Sequence, residues 1–338
     1  MTMRRSDVDL VRFLALVSMY VAHVAPVPGP ARVLELSEYL TMPLFALLVG
    51  VGADLGLRGA GTRSRWRWWW SLTVRAAVLI CLGLALDRAG AQVVMVLVHL
   101  GVLVVVAGLL ARLPVAAVVA IAVAAFAGAQ WLMGRASVAA SAGDGWTADI
   151  ARFAWAGGPY RFLPMVLYAA VGIVLSRWWV HGARSSSVFV PGAVGSALLL
   201  IGATMLGAEQ LGRIDLVPYS GTAQETILDA LLAAGVLGVG LAGSRALSVS
   251  TGGRRLVSTL AAVGAMTLTL YALQILWLAY DVRVLHPGQR DDSWTNLVVL
   301  LLGSLLVVWV WRSVVRIKPW RTGPVEGLIG VLVGNRGP

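Results

Sequence analysis

Trp294-Thr295-Asn296-Leu297-Val298-Val299-Leu300-Leu301-Leu302-Gly303-Ser304-Leu305-Leu306-Val307-Val308-Trp309-Val310-Trp311 runs without a charged side chain until Arg312. With the residues up to 315 it forms a block of 22. A helix rising about 1.5 Å per residue needs about 20 residues to cross a hydrocarbon layer of about 30 Å. Blocks of similar length and character fall at about 8–27, 38–57, 69–87, 91–111, 114–133, 159–179, 188–208, 223–243 and 257–280. Short polar or Pro/Gly-bearing segments separate them. Helix is the economical way through lipid because it satisfies its own backbone hydrogen bonds. The expected fold is therefore all-α, a polytopic membrane protein of about ten transmembrane helices.

Composition agrees with that reading. The 338 residues are 59% hydrophobic and 13% charged, with a mean hydropathy of +0.82. Soluble domains carry about 25% charged residues, so this chain has too little polar surface for a water-soluble globule. Basic residues near span ends mark the cytoplasmic side. Arg4 and Arg5 precede the first span, and three later loops on the same side hold Arg58, Arg63, Arg65 and Arg67, then Arg177 and Arg184, then Arg245, Arg254 and Arg255. Arg312, Arg316, Lys318 and Arg321 follow the last span. The opposite side collects Glu35, Glu38, Asp87, Asp144, Asp149, Glu209, Asp215, Asp281, Asp291 and Asp292. Both termini are thus expected in the cytoplasm. Residues 1–315 form one transmembrane domain, and 316–338 a basic tail able to lie at the interface.

Several function classes are disfavoured. The net charge of +11 is dispersed over loops with no compact basic stripe, so it argues for topology and against nucleic acid. The run Trp66-Arg67-Trp68-Trp69-Trp70 suits an interfacial aromatic belt better than a base-stacking site. Cys81 is the single cysteine, which excludes a disulfide framework. No histidine pair or His/Glu cluster has metal-ligand spacing, and no phosphate loop or serine elbow is present. Asp7, Asp9 and Arg12 interrupt the first apolar run and no small-residue cleavage site follows, so that helix is expected to be retained.

The informative residues are ionisable groups inside spans, where each costs about 2.5–3.5 kcal/mol on insertion scales. The first helix has Asp9, Arg12 and His23. Arg12 and His23 stand eleven positions apart, which is about 20° around a helix axis and a rise of about 16 Å. Asp9 lies one turn before Arg12. An acid, a guanidinium and an imidazole therefore share one stripe, although Asp9 and Arg12 also have the spacing of a simple neutralising pair. The second span opens with Glu38 and contains Pro43, Gly50 and Gly52, which suit a kinked and closely packed helix. Glu38 would then be available to face His23. His99 and His286 remain open as further members of the site.

Arg12 and His23 in the first helix resemble the Arg-x10-His signature of integral-membrane acyltransferases that modify surface glycans. The run Arg5-Ser6-Asp7-Val8-Asp9-Leu10-Val11-Arg12 resembles the start of bacterial heparan-α-glucosaminide N-acetyltransferase-like proteins. Pro43-Leu44-Phe45, Leu163-Pro164 to Tyr168 with Gly172 and Arg177, Pro218-Tyr219-Ser220-Gly221-Thr222, Met266 to Tyr271 and Gly323-Pro324-Val325-Glu326 resemble later marks of that group, in order along the chain. The resemblance implies transfer of an acyl group, acetyl for preference, from cytosolic acyl-CoA to a glycan or other hydroxyl or amine acceptor across a bacterial cytoplasmic membrane. His23 would be the base, with Arg12, Asp9 and Glu38 in the site. Arg5, Arg63, Arg65 and Arg67 would attract the CoA nucleotide, and no metal would take part. The alternatives to this reading are an exporter of a polar or lipid-linked substrate and a non-catalytic partner of a wall-synthesis assembly.

Overall fold

The computed structural model describes residues 5–26, 34–60, 65–141, 160–181 and 188–334, together with Gly145, Ala148 and Phe153. Arg4, Arg63, Asp144, Asp149 and Arg184, all used in the topology above, lie outside the described residues. Among the described residues the chain is helical and contains no strand. The helices are α1 (Ser6–Val24), α2 (Leu36–Ala60), α3 (Arg65–Asp87), α4 (Leu97–Leu110), α5 (Val115–Ser141), α6 (Phe162–Leu175), α7 (Phe189–Gln210), α8 (Ala223–Leu247), α9 (Thr251–Gly264), α10 (Thr267–Tyr280), α11 (Trp294–Val314) and α12 (Pro324–Leu332). Wider π turns extend α6 over Ser176–Val180 and α10 over Asp281–Leu285.

Among the described residues eight segments are long and apolar enough to cross a membrane: Leu36–Gly59, Trp66–Asp87, Val115–Leu132, Phe162–Val180, Phe189–Gln210, Ala223–Leu247, Thr267–Leu285 and Trp294–Val314. Their surfaces are those of a polytopic membrane protein. The Trp294–Val314 segment contains an 18-residue stretch of mean hydropathy 2.2, yet only 22% of that stretch is buried. Leu302, Leu306 and Trp309 face outward, where water would penalise them and lipid does not. Trp66 and Trp70 of the tryptophan run are also exposed, while Trp68 is buried.

Three expected spans differ in detail. The 8–27 segment is α1, which lies outside the eight because Asp7, Asp9 and Arg12 fall within it. The 91–111 segment is the 14-residue α4. The single helix expected over 257–280 is two, broken between Gly264 and Thr267. The physical reason is distant in sequence. The Glu326 carboxylate accepts hydrogen bonds from the backbone N–H of Leu268 and Thr269 at 2.8 and 3.1 Å. A side chain thereby satisfies the free donors that open a new helix. Glu326 also holds the Thr269 hydroxyl at 2.5 Å, so the segment after 315 carries a helix tied to α10. Burial pushes the Glu326 carboxyl above its ordinary range, against the lowering effect of these donors.

The chain forms two compact units. The first comprises residues 1–41, 63–101 and 240–338, and within it α1 packs mainly against α9. Val8, Val11, Ala15, Leu16, Met19, Tyr20 and Val24 of α1 are buried. Gly264 at the end of α9 lies so close to the Asp9 carbonyl that a β-carbon there would overlap it. The Tyr20 hydroxyl meets Ser304 of α11 at 2.7 Å, and Ser18 meets Thr41 at 2.8 Å.

The second unit comprises residues 42–62 and 102–239. Here Gly50 of α2 lies against the backbone of Ala169, and Gly172 of α6 against that of Leu47. This reciprocal approach leaves no room for a side chain at either glycine, the small-residue packing that membrane helices use. At the end of this contact the buried Asp54 accepts hydrogen bonds from Ser176 at 2.9 Å and Arg177 at 3.1 Å. Arg177 also donates to the Ala111 and Leu113 carbonyls. Gly172→Leu is expected to destabilise the protein by about 1–3 kcal/mol or more, read as a lower thermal midpoint in detergent, whereas Gly243→Ala, where a β-carbon meets nothing, should leave it nearly unchanged.

Candidate functional site

The first-helix stripe is present as two stations in the first unit. Near the start of α1, Asp9 is buried and its Oδ1 accepts from Arg12 Nη1 at 2.6 Å. The Arg12 side chain is 33% exposed, so guanidinium donors beyond this bond reach the surface. Asp7 accepts from Arg5 at 2.8 Å and lies 3.5 Å from Arg245. The side chain of Arg5, expected to attract a nucleotide, is therefore engaged with Asp7. Arg67 is exposed near the start of α3, Arg65 is the first residue of that helix, and Arg63 lies outside the described residues.

The second station is His23, whose Nδ1 is 2.7 Å from the Gln274 amide nitrogen. Gln274 sits inside α10 and is 1% exposed. With the amide N–H donating to Nδ1, a neutral ring carries its proton on Nε2. If the amide turns over, Oε1 accepts from Nδ1–H and the Nε2 lone pair becomes available. Gln274 thus sets which nitrogen of His23 can take a proton. Glu38, half-exposed in the first turn of α2, is not the hydrogen-bond partner of this imidazole; Gln274 is. His99 lies in α4 and away from the residues named here in sequence.

His286 belongs to a different chain of contacts, where α10 meets α11. Its Nδ1 is 2.8 Å from Oδ1 of the buried Asp281, whose Oδ2 accepts from Asn296 at 2.7 Å. Asn296 in turn accepts from the Trp277 indole N–H at 3.0 Å and donates to the Asp291 carbonyl. His286 is oriented by a carboxylate with its side chain 56% exposed. Asp291 is buried with Oδ2 unpartnered. Burial, then the charges of Asp292 and Asp281, hold its carboxyl above the ordinary range.

The second unit contains polar residues that the sequence reading passed over. Glu225 and Asp229 stand one turn apart on α8, and both are buried. The Tyr168 hydroxyl of α6 donates to Asp229 Oδ2 at 2.9 Å, while Asp229 Oδ1 is buried without a hydrogen-bond partner. Glu225 accepts from the Gly221 N–H and from the Ser220 hydroxyl. Arg161, just before α6, donates to the Tyr219 carbonyl. Burial pulls the Arg161 guanidinium down, against the opposing charge of Glu225. These groups line a narrow cleft, with a volume of about 10 Å³ and so room for about one water, together with Met42, Pro164 and Thr226. The signal was available: two acids at i and i+4 inside an otherwise apolar helix, where lipid tolerates neither.

Among the described residues no cluster of three or more His, Cys, Asp or Glu side chains has the arrangement of a metal site. Comparison of the chain with family models, curated proteins and solved structures finds no match.

The burial of Asp291 has a consequence for stability. A carboxyl whose folded value lies above its unfolded one contributes stability that is full below the unfolded value and lost as pH rises through the folded one. Asp291→Asn, which cannot ionise, should therefore gain on wild type as pH rises from acid to neutral. Paired thermal midpoints across that range check it.

Proposed function

We propose that the chain is a multi-pass membrane acyltransferase that moves an acyl group, acetyl for preference, from acyl-CoA to a hydroxyl or amine acceptor. The observation that carries this reading is the His23–Gln274 hydrogen bond. It places an imidazole whose protonation site is controlled by a buried amide on the same helix as Arg12. With the Gln274 amide turned so that Oε1 accepts from Nδ1–H, the acceptor oxygen or nitrogen attacks the thioester carbon and His23 Nε2 takes its proton. The carbon–sulfur bond breaks, and the CoA thiolate leaves and is protonated as the imidazole gives the proton up. A thioester is already activated, so positioning and proton removal are the main demands on the protein. Arg12 offers donors beyond those bound to Asp9 for a phosphate of the donor, and Arg67 adds positive charge that attracts the nucleotide.

Seven of the eight long apolar helices coincide with expected spans, and the eighth, Thr267–Leu285, overlaps the one expected over 257–280. If α1, its charges covered inside the first unit, and the short α4 also cross, the count is ten and both ends share one side. The distribution of arginines supports the cytoplasm for that side, and the near-absence of lysine suits a bacterial source. The acceptor would then be an extracytoplasmic glycan or small molecule. A second reading, export of a polar substrate, draws on the buried Glu225–Asp229 pair in the second unit. Substrate delivered chemically unmodified across vesicles of purified protein would favour it.

His23→Ala should lower transfer of label from acetyl-CoA in membrane vesicles by about 10²–10⁴-fold with the protein folded and inserted; full activity of this variant would sink the assignment. Gln274 acts through His23. Gln274→Glu places a carboxylate beside the imidazole and should move the acid limb of the pH–rate profile to higher pH, while Gln274→Leu should lower kcat with little change in KM for acetyl-CoA.

A further inference from the structure

We infer that the second unit holds a proton-binding site, the Asp229 carboxyl backed by Tyr168, which exchanges its proton through the cleft lined by Arg161, Tyr219 and Gly221. Charge and hydrogen-bond capacity point to this site, independently of the acyl-transfer reading. The titratable and charged groups facing Asp229 are Tyr168 on α6, Glu225 on its own helix, and Arg161 at the mouth of the cleft. Arg161 is the one cation among them, and its charge is set against Glu225. Glu225 also has the Gly221 N–H and the Ser220 hydroxyl. Asp229 is left with one neutral donor, the Tyr168 hydroxyl on Oδ2, and with Oδ1 buried and bare. An ionised carboxylate so placed pays a desolvation penalty of several kcal/mol that no partner offsets.

A proton on Oδ1 removes that charge. It needs only one lone pair, which is what the site offers. A metal cation would need several oxygens around it, so the geometry favours the proton. Release is a simple acid–base step. The O–H bond at Oδ1 breaks, the carboxylate keeps the electron pair, and the proton passes to water at the cleft. The mouth is built for a fixed shape. Tyr219 adopts a left-handed backbone conformation with φ of 60°, and Gly221 follows with φ of 72°. Bonds from Arg161 to the Tyr219 carbonyl, from Gln130 to the Gly221 carbonyl and from the Gly221 N–H to Glu225 pin the turn. The Pro218–Thr222 segment that marks the sequence is thus the rim of this site.

The test is infrared difference spectroscopy of the full chain in nanodiscs, titrated from neutral to alkaline buffer. Wild type should show a carboxylic-acid carbonyl band at neutral pH that disappears as the buffer becomes alkaline. Asp229→Asn should lose that band, and Glu225→Gln should keep it. Tyr168→Phe, which removes the hydrogen bond to Oδ2, should shift the band to higher frequency without abolishing it. That variant keeps the proposal open to refutation if Asp229→Asn does not fold. A band that survives Asp229→Asn, the absence of any such band in wild type, an unshifted band in Tyr168→Phe, or loss of the band on adding sodium or potassium at fixed pH would each overturn the inference.

Discussion

Hydrocarbon offers no hydrogen bonds, so each charge that this chain carries into its helices needs a partner of its own. That constraint selects which helices pack together. Asp9 takes Arg12, Asp7 takes Arg5 and Arg245, and Asp54 takes Arg177 with Ser176. Arg177 spends its remaining donors on the carbonyls of Ala111 and Leu113 at the end of α4. The apolar contacts are less selective, because a leucine face is as content against lipid as against another helix. What fixes register is the close approach of backbones at Gly50, Gly172 and Gly264, together with these few polar pairs.

The same constraint separates polar groups that are satisfied from those that are not. The Asp54 network closes on itself and reads as architecture. The His23–Gln274 pair and the Tyr168–Asp229 pair do not close, since Gln274 Oε1 and Asp229 Oδ1 are buried without partners. Unsatisfied polar atoms in an apolar interior are costly and rare. They are where a ligand, a proton or a change of tautomer has something to gain. Among the described residues Asp291 Oδ2 is a further buried atom of this kind, and the two pairs differ in chemistry: an imidazole switched by an amide in the first unit, a carboxyl backed by a phenol in the second.

The helical, membrane-type character of the fold was legible in the sequence because it depends on block length and composition, which are local. Asp9 and Arg12 were legible for the same reason, since i and i+3 on a helix meet whatever surrounds them. Gln274 was not. Nothing within α10 marks one glutamine as the partner of a histidine 251 positions earlier. Glu38 seemed suited to that role from its place in the second span, yet it is the packing of α10 against α1 that brings an amide to the ring. Glu225 and Asp229 were visible as acids in an apolar helix, but their division of labour depends on Arg161 and the Pro218–Thr222 turn.

By itself, then, the sequence determined that the chain forms apolar helices of membrane-crossing length and that its first helix bears an acid, a guanidinium and an imidazole on one stripe. Hydropathy and helical periodicity suffice for both. Only the tertiary structure decided that the helix expected over 257–280 is two. Glu326, some sixty residues downstream, supplies the acceptor that starts α10 at Thr267. Tertiary structure likewise decided that His23 answers to Gln274 and that Asp229 keeps one oxygen bare. Hydrogen-bond partners between helices are set by how backbones approach, and a linear pattern does not encode that approach.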